Sequence, residues 1–210
     1  MGISVLRDRI LAALADSAAP PDPGVAQPPS VHGDVPEALR RRFTGRKTPA
    51  AVLIPLLARG ATYHVLFTRR SPDLRHHPGQ VSFPGGRMEP RDRDITDAAL
   101  REAEEEVGLP RGHVRIAGYL ESHVTITGYA VTPVVGLVHR RFEIRPQVSE
   151  VEEAFEVPLD FLMDEDNLQS SWREFEGTEV RVYEYHYGGH RIWGATAAML
   201  VTLRQKLQNQ

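Results

Sequence analysis

Hydrophobic residues recur at two different spacings in the first third of this chain, and each spacing predicts a different element. Apolar residues three or four positions apart predict a short amphipathic helix near the N-terminus: Ile3, Leu6, Ile10 and Leu14. A proline-rich stretch from Ala19 to Pro36 has few large apolar residues, so we expect an extended linker there. Two apolar runs, 50–58 and 61–69, flank the turn at Arg59-Gly60 and predict a β-hairpin.

The rest of the chain alternates between strand-like and helix-like patterns. Strands are predicted in four segments, the third of which passes into a short helix: 113–125, 129–140, 151–162 and 179–187. One helix is predicted from an N-cap at Asp94, with Asp97 completing a capping box, to Gly108, and another over 195–207. This mixture predicts an α/β fold in which helices flank a mixed β-sheet. We expect residues 1–48 to form an N-terminal helix and linker, and residues 49–210 to form one compact domain.

Composition and charge exclude several classes of function. The chain has 210 residues, a net charge of −3 and no cysteine, which excludes disulfides and thiolate chemistry and fits a reducing compartment. The charge provides no bulk attraction to nucleic acid or to an anionic membrane. No apolar run approaches the roughly 18–20 residues that span a bilayer. We therefore expect a cytoplasmic protein with a small-molecule partner, and a homodimer that exchanges the N-terminal helix stays open.

Three glutamates lie on one side of the second predicted helix, close to its C-terminus. With about 100° per residue, Glu102, Glu105 and Glu106 fall within an arc of roughly 100°, whereas Glu104 lies nearly opposite. A helix C-terminus carries partial negative charge, so carboxylates are disfavoured there by a few tenths to about 1 kcal/mol each. A divalent cation reverses this balance, and carboxylate oxygens suit Mg²⁺ or Mn²⁺. The pattern therefore indicates a metal site; the alternative is a solvated acidic helix face.

The sequence around these glutamates resembles the Nudix box, the glycine-loop-helix motif of Nudix hydrolases. The core of that motif, REUxEExGU with U apolar, is matched by Arg101, Glu102, Ala103, Glu105, Glu106, Gly108 and Leu109. In the common form, an acidic residue follows the second glycine by six positions and the arginine comes eight positions later. Asp92 takes the acidic place here and Arg101 comes one residue late, so the loop is longer. The resemblance implies a Nudix-type α/β/α sandwich with a mixed β-sheet, and hydrolysis of a diphosphate.

The residues just before the box carry a second resemblance. They are similar to a signature of coenzyme A pyrophosphatases, LLTxR[SA] followed by Arg, Gly and FPGG at fixed intervals, through Leu66, Thr68, Arg70, Ser71, Arg75, Gly79, Phe83, Pro84, Gly85 and Gly86. The same subfamily has the longer loop in its box, and the segment 192–200 also resembles it. The implied reaction is hydrolysis of coenzyme A, or an acyl thioester of it, to 4′-phosphopantetheine and adenosine 3′,5′-bisphosphate, with Mg²⁺ or Mn²⁺ as cofactor.

Residue types and these resemblances together assign roles. The metal ligands are expected to be Glu102, Glu105 and Glu106. Arg101 is expected to orient a glutamate and Glu105 to assist catalysis. Substrate phosphates are expected to meet the basic residues and glycines before the helix: Arg69, Arg70, Arg75, Gly85 and Gly86. The general base stays open between Glu105, Glu150 and Glu153.

Two other functions stay open at this point. A Nudix hydrolase of another nucleoside diphosphate derivative, such as NADH or ADP-ribose, would keep the fold and change the substrate pocket. A catalytically inactive domain that binds a nucleotide would predict a damaged set of glutamates, whereas this chain keeps all three.

Overall fold

The computed structural model describes residues 2–25, 45–74, 77–125, 127–175 and 178–208. Within these ranges the helices are Ile3–Ala13 (α1), Ile95–Val107 (α2), Leu159–Met163 (α3) and Ala195–Gln208 (α4), with 3₁₀ turns at Arg111–His113 and Glu165–Asn167. The strands are Thr48–Arg59 (β1), Thr62–Arg70 (β2), Val81–Ser82 (β3), Gly85–Arg87 (β4), Val114–Tyr119 (β5), His123–Val124 (β6), Tyr129–Val138 (β7), Val151–Pro158 (β8), Gln169–Phe175 (β9), Thr178–Tyr187 (β10) and His190–Trp193 (β11). None of the helices in these ranges is long and apolar enough to cross a membrane.

Eight of these strands form one mixed sheet. Its main path runs β3-β2-β1-β7-β5, while β4, β6 and β8 pair with β1, β7 and β2. Strands β1 and β7 are parallel, and the other pairs are antiparallel. A second, antiparallel sheet contains β9, β10 and β11. The predicted α/β fold with a mixed sheet is therefore confirmed.

Helices cover both faces of the main sheet because its strands present apolar side chains alternately to each side. On one side, α2 buries Ala98, Ala103 and Val107 against Leu53 and Val134. On the other side, α1, α3, α4 and the second sheet surround a larger core. The acidic helix thus lies against the sheet over its whole length, and its buried face fixes the direction of its remaining side chains.

Helix α1 docks on its own chain. Its apolar stripe of Leu6 and Ile10, continued by Leu14 just after the helix, is buried in the larger core. Arg9 also donates a hydrogen bond from Nη2 to the backbone oxygen of Leu207, at 2.7 Å. The proline-rich segment that follows falls largely outside the described residues, so the expected linker stays a prediction.

Shortening the apolar stripe of α1 is expected to destabilise the whole chain. Ile10→Ala should lower the free energy of unfolding by about 2–5 kcal/mol, because Ile10 is fully buried and a cavity would remain. Val5→Ala, on the exposed side of the same helix, is the control and should change it by less than about 0.5 kcal/mol. Urea denaturation measures both. Equal effects of the two variants would show that α1 does not share the core.

The sequence patterns located most long elements and missed several short ones. The predicted hairpin over 50–58 and 61–69 is formed by β1 and β2, and the predicted segment 113–125 contains two strands, β5 and β6. The Asp94 side chain accepts the Asp97 backbone N–H at 2.8 Å, and Gly108 ends α2 with φ of 71°, as predicted. Strands β3, β4, β9 and β11 were not predicted.

Candidate active site

The two glycines of β4 bring α2 close to the sheet. Gly85 and Gly86 pair with Val52 and Ala51 of β1. A Cβ atom on Gly86 would lie 2.5 Å from Oε1 of Glu102, and one on Gly85 would lie 2.3 Å from the backbone oxygen of Ala51. Both contacts are closer than real Cβ atoms allow. The glycines are therefore needed for close approach, which places the Glu102 carboxylate against the β4 backbone.

A buried arginine lies among four acidic side chains, which together form the acidic cluster of this site: Asp92, Glu102, Glu105 and Glu106. Arg101 uses all five of its N–H groups: two reach Asp92 (Nε–Oδ1 2.7 Å, Nη2–Oδ2 3.0 Å), and Nη2 also donates to the backbone oxygen of Arg87 at 3.1 Å. Its Nη1 atom donates to Glu102 at 2.9 Å and to Glu105 at 3.0 Å. Arg101 thus donates hydrogen bonds to two glutamates, and its role in orienting them for catalysis stays a prediction.

Asp92 completes this arrangement, and sequence reasoning gave it no role. The Arg101 guanidinium lowers the pKa of the buried Asp92 carboxyl, and the Glu89 backbone N–H adds a hydrogen bond at 2.7 Å. In return, hydrogen bonding to Asp92 raises the pKa of Arg101. The longer loop therefore still delivers an acid to the arginine. The sequence did contain a signal for this role of Asp92, because Asp92 occupies the acidic position of the Nudix box.

Two glutamates carry an unfavourable charge at this site. Burial, together with repulsion from Glu102, raises the pKa of Glu106 to about 8, and the positive charge of Arg70 opposes this rise. Burial also raises the pKa of Glu102, against the lowering effect of Arg101. Glu106 accepts a weak hydrogen bond at 3.3 Å from the Gly85 backbone N–H. Two neighbouring carboxyl groups whose charged forms are under-compensated are suited to a divalent cation.

Glu105 lies further out than its two neighbours. Its side chain is 44 % exposed and divides its oxygens between Arg101 and Arg91, at 3.0 and 3.2 Å. Among the described residues, no three acidic or histidine side chains are assembled in a geometry ready to hold a metal ion. The arginines draw the carboxylates toward themselves, so the three-glutamate metal site stays a prediction.

The two consecutive arginines at the end of β2 differ in their surroundings. Arg69 is bound by Glu153 at 2.9 Å and lies 3.5 Å from Glu152. Among the described residues, no hydrogen-bond partner reaches the buried Nε atom of Arg70, and the charge of Arg70 acts on Glu106. Of the two arginines, Arg70 is thus the one whose charge acts on Glu106, and Arg75 lies outside the described residues.

The two remaining candidates for the general base, Glu150 and Glu153, also differ in their surroundings. The negative charge of Glu150, just before β8, raises the pKa of both Glu102 and Glu106, so it acts on the cluster. Glu153 instead pairs with Arg69 and lies 3.6 Å from His190, whose ring stacks on Phe155. Glu150 is held in place through its backbone, which accepts a hydrogen bond from the Ser71 N–H at 2.8 Å.

Comparisons of this chain with known proteins identify its family. The model of the NUDIX domain matches residues 47–179. An uncharacterized Nudix hydrolase NudL of Photorhabdus laumondii is 40% identical over 168 residues, which cover 80% of this chain and 89% of the relative. Its namesake in Pectobacterium atrosepticum is 39% identical over 176 residues, covering 84% and 90%.

A solved structure shows the same fold at low sequence identity. The MutT/nudix family protein of Enterococcus faecalis superposes with a TM-score of 0.51 and 12% identity, over 80% of this chain and 64% of that chain. This likeness concerns the fold, whereas the domain match and the two relatives assign the family. The chain belongs to the Nudix hydrolase family.

Proposed function

We propose that this chain hydrolyses the diphosphate of coenzyme A or of an acyl-coenzyme A. The family acts on nucleoside diphosphate derivatives, and coenzyme A is one of these. The observation that carries the proposal is the signature before the Nudix box, in which Arg70 leads to the glycines of β4. The positive charge of Arg70 acts on Glu106, and a guanidinium near these carboxylates can hold a diphosphate oxygen. Water adds to one phosphorus and the bridging oxygen leaves, which gives 4′-phosphopantetheine and adenosine 3′,5′-bisphosphate.

The residues present fit the divalent cation that Nudix hydrolases generally use. Glu102 and Glu106 offer buried carboxylate groups whose negative charge is only partly compensated. Glu105 accepts a hydrogen bond from Arg101, the arginine that also binds Glu102. We propose that these three glutamates hold Mg²⁺ or Mn²⁺. When bound, the cation supplies charge neutralisation of the diphosphate and lowers the pKa of the attacking water.

The other residues act by positioning and by proton transfer. Arg101 fixes the rotamers of Glu102 and Glu105 through its two Nη1 bonds, while Asp92 fixes Arg101. We propose Glu150 as the general base, because its charge acts on Glu102 and Glu106 and it forms no ion pair with any residue in the described ranges. Glu105 is less suited to this role, since two arginines occupy its oxygens.

The assignment of the base predicts different effects at two neighbouring glutamates. Glu150→Gln should lower kcat about 100-fold with little change in KM, because an amide of the same size cannot take a proton. Glu153→Gln is the matched control and should change kcat less than about threefold, since its carboxylate pairs with Arg69. Steady-state kinetics on coenzyme A measure both. A larger loss at Glu153 would reverse the assignment.

Product identification tests the substrate. The purified chain is incubated with Mg²⁺ or Mn²⁺ and, separately, with coenzyme A, acetyl-coenzyme A, NADH and ADP-ribose, and the products are identified by mass. The expected result is the highest kcat/KM on coenzyme A or its thioester, and complete loss of hydrolysis with a chelator. Preference for NADH or ADP-ribose would reject the coenzyme A proposal and keep the hydrolase. Failure on every diphosphate would favour an inactive nucleotide-binding domain.

A further inference from the structure

A second concave site lies at the opposite end of the two parallel strands. A cavity of about 260 Å³ opens where β1 and β7 end, and the buried side chains of Leu57 and Val138 form its apolar part. These two residues face each other in the strand register. Ligands of open α/β sheets often bind beyond the carboxyl ends of parallel strands. Val52, opposite Gly85, precedes Leu57 by five residues, so roughly 17 Å of strand separates the two sites.

The rim of this cavity carries unbalanced positive charge. Arg59, Arg140 and Arg141 line it, together with His139, and the part of the chain that the structure describes adds no carboxylate to the lining. Arg59 is neutralised by Glu156 through bonds of 2.6 and 2.8 Å. Arg140 and Arg141 are exposed and form no ion pair with any described residue. Two free guanidinium groups at one concave surface attract a multiply charged anion.

An aromatic side chain adds to this chemistry. Phe142 lines the cavity and is half-buried, packed on the core beneath α2. A guanidinium pair binds phosphate oxygens, and an adjacent aromatic ring on an apolar base binds a flat heterocycle. We propose that this cavity is a second ligand site, separate from the Nudix site, that binds a small phosphate-bearing molecule such as a nucleoside monophosphate.

The segment that carries the arginines continues to the acidic helix. The backbone N–H of Arg145 donates to the Val107 oxygen at 3.0 Å, and that of Gln147 donates to the Glu106 oxygen at 2.9 Å. A ligand that holds residues 139–142 therefore also restrains the chain that closes the end of α2. Slower amide exchange at Arg145 and Gln147 is an expected sign of binding.

Isothermal titration calorimetry tests the site with three probes: inorganic phosphate, adenosine 5′-monophosphate and adenosine. A chelator is present throughout, so that no divalent ion draws phosphate to the Nudix site. The wild-type chain is compared with Arg140→Ala/Arg141→Ala and with the control Arg7→Ala, which removes an exposed arginine of α1 that pairs with the neighbouring Asp8.

We expect saturable binding of both phosphate-bearing probes and none of adenosine in the same concentration range. The double variant should bind them at least tenfold more weakly, while Arg7→Ala keeps the wild-type affinity. Equal affinity in the double variant and the wild type would overturn the proposal, and so would binding of adenosine as tight as that of the monophosphate. The absence of saturable binding to the wild type would overturn it as well.

Discussion

Glu106→Gln is expected to abolish hydrolysis and, in the metal-free chain, to increase stability at alkaline pH. Losing a proposed ligand of the divalent cation weakens the cation's neutralisation of the diphosphate by several kcal/mol, which corresponds to a decrease in kcat of about 10³-fold or more. The amide keeps the shape of the side chain and still accepts the Gly85 N–H bond. Activity is measured with Mg²⁺ on coenzyme A, and Glu104→Gln is the control, because Glu104 is exposed and pairs with Arg111.

The stability part of this prediction follows from proton linkage. The folded-state pKa of Glu106, about 8, lies above its ordinary value of 4.5, so the folded chain holds a proton that the unfolded chain releases. Stability therefore falls as pH rises toward 8, by about 2 kcal/mol between pH 6.5 and 8. This window avoids His123, whose pKa burial lowers to about 4 and whose linkage acts below pH 6.5.

Urea denaturation with a chelator should show this slope in the wild type and a much flatter one in Glu106→Gln. Adding Mg²⁺ should stabilise the wild type more than the variant, because the ion favours the charged carboxylate. A variant that keeps full activity would remove Glu106 from the metal site. An unchanged pH slope would show that Glu106 is ionised in the folded chain.

Sequence periodicity placed the acidic helix well because local rules decide its structure. Asp94 and Gly108 satisfy the ends of α2 within a few residues, and the spacing of Glu102 and Glu106 puts them on one face. The same periodicity could not tell how deeply each glutamate is buried. That depth depends on β4, whose glycines have no intrinsic strand preference and pair only because β1 is beside them.

Long-range strand pairing also determines the different surroundings of Arg69 and Arg70. Sequence reasoning treated Arg69 and Arg70 alike, although consecutive strand residues point to opposite faces. Only the register of β2 against β8 shows that Arg69 lies opposite Glu153, whereas Arg70 follows a bulge and its charge acts on Glu106. Such a register is set by contacts between residues far apart in the chain, which local patterns do not contain.

Variants of the Asp92–Arg101 pair are expected to give the largest change in the free energy of unfolding. They also separate the stabilising role of this pair from its catalytic role. The two side chains are 1% and 5% exposed. Arg101→Met leaves the buried Asp92 charge without this partner, and Asp92→Leu leaves two buried N–H groups of Arg101 without their acceptor, so either single replacement should cost about 3–5 kcal/mol of unfolding free energy. The double variant removes both charges and should recover most of that loss. Its activity should stay at least about 100-fold low, because Glu102 and Glu105 lose their common donor.

Urea denaturation and kcat on coenzyme A measure the two effects. The control is Arg145→Ala, which breaks an exposed pair with Glu143 and should change the free energy of unfolding by less than about 0.5 kcal/mol. Activity that returned together with stability would mean that the pair supports the fold alone, and that the glutamates find their positions without Arg101.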